Sequence, residues 1–170
     1  RKTASLLMDL AKSEENQDLT VAALQAINRF DPEFSEMVDF EYFTHHHYPE
    51  IKALALIGLY RRAPEKYHPT IQSYLRSDAL KDRQTGVIAA GGSGDKLFTD
   101  RLKEMLVTQE NEPIVPDLLN ALYALKEAKL NDLAHPYLSH QTKRIRLAAL
   151  SVLEIDNDEL LRTVILMMGD

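Results

Sequence analysis

The chain of 170 residues has no cysteine and no tryptophan, with only six glycines and seven prolines. Without cysteine there is no disulfide framework, no thiol nucleophile and no thiolate-held zinc or iron–sulfur centre. Without tryptophan one common interface anchor is missing. No apolar run approaches the roughly 18 residues that a bilayer span requires, so direct membrane insertion is not expected. The segment Arg1–Leu10 also lacks the apolar core of a secretory signal. The cytoplasm is therefore the default compartment, and the soluble part of a membrane protein is compatible with it. Basic charge is in short supply: 20 Lys and Arg against 26 Asp and Glu leave a net −6. That balance argues against specific nucleic-acid binding. With 45% hydrophobic and 27% charged residues, the chain has the composition of one ordinary globular domain.

The acidity is local. Residues 1–50 hold four basic and ten acidic side chains, and residues 51–170 hold 16 of each sign. A docking surface for a basic partner would use such an end. Solvated helix faces account for it more simply.

An internal repeat organises the rest. Leu24, Leu56, Val87, Leu119 and Leu150 follow one another at spacings of 32, 31, 32 and 31. A second column, Leu10, Phe43, Leu75, Leu106 and Leu138, runs at 33, 32, 31 and 32. Two columns with one period describe a unit of two helices, A then B. Around each B position, apolar residues fall at −5, −1, 0, +2 and +3, a stripe of helical period. Small residues recur at −1 (Ala23, Ala55, Gly86, Ala149) and at +2 (Ala26, Gly58, Ala89, Ala121), where they let neighbouring helices approach. No alternation of strand type and no hairpin dipeptide occurs. Pro32 and Pro64 mark the starts of A segments, and Pro49 and Pro113 precede B segments. Gly91-Gly92-Ser93-Gly94 supplies a left-handed cap after the third B helix. Three departures stand out: Asp82 in place of an aliphatic residue, Pro116 inside the fourth B helix, which should begin there or kink, and Pro136 near the end of the fifth A helix, which should shorten it.

The B-helix strings Ile-Lys-Ala-Leu-Ala-Leu-Ile-Gly-Leu (51–59) and Ile-Arg-Leu-Ala-Ala-Leu-Ser-Val-Leu (145–153) resemble HEAT repeats, in the short bacterial form known from phycobilin lyases. The resemblance implies an all-α fold. It would be a right-handed α-solenoid of about five two-helix units, plus one extra C-terminal helix over Asp156–Met168. That unpaired last helix, with the absent initial Met, leads us to expect one domain over 1–170 cut from a longer protein. The resemblance further implies a non-catalytic scaffold or adaptor that binds another protein, or another domain of its own chain, with no cofactor. An alternative is a regulatory or accessory domain of a bacterial membrane transporter, such as a nucleotide exchanger, or of a signalling protein. A glycosylase-like enzyme on DNA is the more remote alternative, since those proteins resemble basic, aromatic-lined grooves.

Candidate partner-binding residues follow. Lys52, Arg83 and Arg146 occupy the −4 position of their B helices, where HEAT-like arrays often carry a cation. They form either a basic binding stripe or, more simply, a ladder that ties units together. The segment Glu33–Phe43 holds more apolar residues than one helix stripe can bury, so either Phe34 or Phe40, with Glu41 beside them, lies at an acidic-aromatic surface, or the segment packs against the first repeat around Phe30. The run His45-His46-His47 reads as a polar turn rather than a metal site, because consecutive residues share no helix face. Gly91–Lys96 lacks the spacing of a phosphate-binding loop. No nucleophile elbow or carboxylate pair points to catalysis.

Overall fold

A computed structural model describes residues 2–12, 16–29 and 38–153. The described chain is all-helical. Helices α1 (Lys2–Lys12) and α2 (Gln17–Ile27) form the first pair. In the second A segment the described residues form a 3₁₀ turn, Phe40–Phe43, and α3 (Pro49–Arg62) is its B partner. Then come α4 (Pro64–Leu75) with α5 (Leu80–Ser93), and α6 (Thr99–Leu106) with α7 (Val115–Ala124). The last pair is α8 (Leu130–Ala134) with α9 (Lys143–Val152). Successive B helices touch in order: α2 on α3, α3 on α5, α5 on α7, α7 on α9. Each A element packs on the B helix of its own pair. The expected helix over Asp156–Met168 lies outside the described residues.

The two columns are the seam of this stack. Leu24, Leu56, Val87 and Leu119 are buried, and Leu150 is half-buried against the core. In the A column Phe43, Leu75, Leu106 and Leu138 are buried, but Leu10 is 39% exposed. Leu19, assigned to the buried stripe at −5, is 45% exposed. Both sit in the first described pair, where α3 is the one B helix among the described residues that packs on α2.

Small residues let the rods close up. A Cβ on Gly91 would stand 2.6 Å from the Ala121 Cα, so α5 and α7 meet almost backbone to backbone. A Cβ on Gly58 would enter the Phe40 ring, whose Cζ end packs against α3 at that point. Prolines set boundaries: Pro49 and Pro64 open α3 and α4, Pro116 sits in the first turn of α7, and α8 gives way to a 3₁₀ turn (His135–Ser139) at Pro136. Gly94, with φ of 73°, takes the left-handed cap of α5. The residue 32 positions later is Lys126, with φ of 56° and the same role after α7. Its N–H donates to Tyr123 O, and the Glu127 N–H reaches back to Leu122 O.

Side chains add rungs within and between units. Thr20 Oγ1 donates to Ala11 O, Arg62 to Val38 O, Arg101 to Leu75 O, and Tyr137 Oη to Leu106 O at 2.5 Å. The last two bonds close the same place, the end of an A helix, from the A element that follows.

Candidate functional site

The −4 column is engaged with the fold itself. Arg83 Nη1 donates to Ser77 O (3.0 Å) and Asp78 O (2.8 Å), while its Nε donates to the buried Asn111 (2.8 Å). Arg146 Nη1 makes the matching pair of bonds two units later, to His140 O (2.8 Å) and Gln141 O (3.0 Å). Each guanidinium curls back over its own A–B turn and satisfies carbonyls that no helix would satisfy. Lys52 instead reaches forward to Asp82, at 3.7 Å, and lies over the Tyr74 ring. The odd acid at −5 is thus explained: Asp82 binds the lysine of the preceding unit and accepts from Ser77 Oγ.

The expectation for Phe40 is corrected. Its exposure is 0%, with Gly58 beneath the ring and the Arg62 guanidinium 4.7 Å above the centroid. The 3₁₀ turn makes this possible, because three residues per turn bring Phe40 and Phe43 inward together. Tyr42 faces outward at 47% exposure, under Lys12. Glu41 accepts from Tyr67 Oη and pairs with Lys66 at 3.9 Å. Phe34 lies outside the described residues. In the histidine run, the rings of His46, His47 and Tyr48 cluster together, and His46 Nδ1 accepts from the Tyr48 N–H. Among the described residues no group of three or more His, Asp or Glu is placed to hold a metal ion.

The feature not predicted from the sequence is a pair of hollows on the face shared by the B helices. One, of about 320 Å³, is lined by Glu50 from α3, Gln84, Ile88, Gly91 and Gly92 from α5, Asp117, Asn120, Ala121 and Ala124 from α7, and Arg144 from α9. Gly92 also borders the second, of about 300 Å³, where Arg29 and Arg61 stand over Gln25, Leu54 and Ile57. Acidic groups thus border the first hollow and arginines the second.

Electrostatics in the first hollow are unbalanced. Burial raises the Asp117 carboxyl above its ordinary range, against the pull of the Gln84 hydrogen bond and of Arg144. Gln84 Nε2 donates to Asp117 Oδ2 at 2.9 Å. Burial raises Glu50 as well, and the charges of Asp117 and Asp18 push it further. The half-buried Asp117 and the exposed Glu50 are both shifted towards the neutral form, by burial at Asp117 and by burial with neighbouring acids at Glu50, and Arg144 offsets this only in part. Only a partial signal was present in the sequence: Asp18 and Glu50 share the −6 position and Gln25 and Asn120 the +1 position, while Asp117 stands alone at a −2 position that is otherwise apolar or small. The buried columns drew attention away from it.

A second polar cluster joins α3, α4 and the loop after α5. Tyr60 Oη donates to Asp95 Oδ2 at 2.5 Å, His68 Nδ1 lies 3.5 Å from the same oxygen, and the Leu97 N–H donates to Oδ1. His68 stacks on Phe98 with centroids 4.5 Å apart. Burial, then the Asp95 bond, push the Tyr60 phenol up to about 12. Burial alone would raise Asp95, but the bonds from Tyr60 and Leu97 and the nearby His68 hold it below the usual carboxylate range. The cluster fastens the glycine-rich loop to the preceding unit.

No protein-family model matches the chain, and no curated protein is significantly similar to it.

Proposed function

We propose that the chain is a HEAT-like right-handed α-solenoid that binds another polypeptide, or another domain of its own protein, on the face shared by its B helices. It acts as a scaffold and carries out no reaction there. The period near 32 residues and the in-order contacts of α2, α3, α5, α7 and α9 support the architecture. The observation that carries the function is the pair of hollows on that face, the first lined by polar side chains with glycine and alanine, the second by Arg29 and Arg61 with Leu54 and Ile57. The acidic walls of the first disfavour a phosphate backbone, so nucleic acid is not the partner. The −4 cations, folded onto their own turns or a neighbouring acid, support a structural role for Lys52, Arg83 and Arg146 rather than a binding stripe.

The test uses photo-crosslinking residues placed one at a time at Ile88, Asn120 and, on another side, the exposed Leu97. Crosslinks to a partner from the B-helix positions alone are expected. Crosslinks from Leu97 alone would sink the proposal.

A further inference from the structure

We infer that the hollow between Glu50 and Asp117 seats a lysine or arginine side chain of the partner polypeptide. This rests on the docking reading above and names what occupies its centre. The hollow draws its wall from three helices: Glu50 from α3, Gln84 from α5, Asp117 and Asn120 from α7. Its floor is Gly91, Gly92, Ala121 and Ala124, with no side chain longer than a methyl. The floor is built by close approach, since a Cβ on Gly92 would stand 2.2 Å from Ile57 Cδ1 and one on Gly91 would meet Ala121. Ile88 offers an apolar wall for a methylene stem, and the acceptors surround the place where its charged head would lie.

Charge selects the occupant. Against two carboxylates the lining has one cation, Arg144, and Asp18 adds to the negative field at Glu50. The Gln84 amide is already turned to Asp117. A partner carboxylate would be repelled, and a neutral side chain would dehydrate both acids without a counter-charge. Acids in a first helical turn do favour the helix dipole. That effect can account for an exposed acid such as Glu50, but it needs no burial and does not account for the half-buried Asp117. The adjoining hollow strengthens the assignment. Arg61 lies 11 residues from Glu50 on α3, about 16 Å by helical rise. Asp18 and Arg29 repeat that spacing across α2. A segment that places a cation at Glu50 therefore meets arginines on its other flank, and a fitting partner carries its acidic residues there.

The test selects random dodecapeptides displayed on phage against the full chain, then measures the winners as fluorescein-labelled peptides by anisotropy. Enriched peptides are expected to share a lysine or arginine. Replacing that residue by glutamine should lower affinity at least tenfold on the unmodified chain. It should change little on the double variant E50Q/D117N, in which the amide oxygen introduced at position 117 can still accept from Gln84. Asn120→Trp and, separately, Ala124→Gln partly fill the hollow from exposed positions and should abolish binding. Peptides blocked by these two but lacking a shared cation, or indifferent to E50Q/D117N, would overturn the seat and leave the docking face standing. Peptides indifferent to all the variants, or no enrichment at all, would overturn both.

Discussion

Glu50 and Lys52 stand in the same turn of α3, and they illustrate two regions of the molecule with different electrostatic logic. At the turn edge, Lys52, Arg83 and Arg146 are matched to an acid or to carbonyls of the chain itself. On the B-helix face, Glu50 and Asp117 are left with more negative charge than their neighbours offset. A charged group that satisfies the fold is a structural part. One that strains it, at a hollow, is poised for something outside the chain. The difference lies in where the partner comes from, and it cannot be read from residue type.

The comparison breaks first if the shared core beneath it is disturbed. Phe40 is fully buried between Gly58 and Arg62, so Phe40→Ala should cost about 3–5 kcal/mol in urea unfolding. A loss near zero would restore Phe40 as a surface residue. The turn edge comes next. Arg83→Met removes a donor from two turn carbonyls and from the buried Asn111, and should cost about 1–3 kcal/mol. Arg146→Met, with the two turn bonds alone, should cost less. Neither should alter affinity for a selected peptide. If binding falls with stability unchanged, the basic stripe is real and the division between the regions is wrong.

How much of this was readable in advance depends on whether a position is set by its own unit or by its neighbours. The period, the B helices, the proline-set boundaries and the glycine cap are local, and they carry clear signals. The second A segment is not local. Phe40 turns inward because Gly58, 18 residues on, leaves room for its ring. Leu10 and Leu19 fit the pattern and yet are exposed, because burial depends on the packing of other units and not on the spacing alone. Lys126 had no signal at all, being a lysine where its repeat equivalent is Gly94. That mismatch is testable. With φ of 56°, Lys126→Gly relieves a conformation that side chains disfavour, and stability should rise by about 0.5–1 kcal/mol in a thermal melt. The hollows were the least readable, because a hollow is made of what three or four helices each leave out.

The smallest effect separates the two regions most cleanly, because its sign is opposite to that of the core and turn-edge losses. Burial raises Asp117 in the folded chain, and burial with neighbouring acids raises Glu50. A carboxyl raised in this way stabilises the fold fully below its ordinary value, and that contribution is lost as pH rises through the folded value. At neutral pH both groups are charged at a cost. D117N, and more so E50Q/D117N, should therefore raise the melting temperature slightly at pH 7. The advantage should shrink on acidification and vanish below the ordinary carboxylate range, where the unmodified chain is neutral in both states. The same variants lose the cationic peptide. A rise in stability paired with a loss of binding is the mark of a site kept for a partner. A fall in melting temperature at pH 7 would instead return Glu50 and Asp117 to the turn edge's class, as charges the fold itself requires.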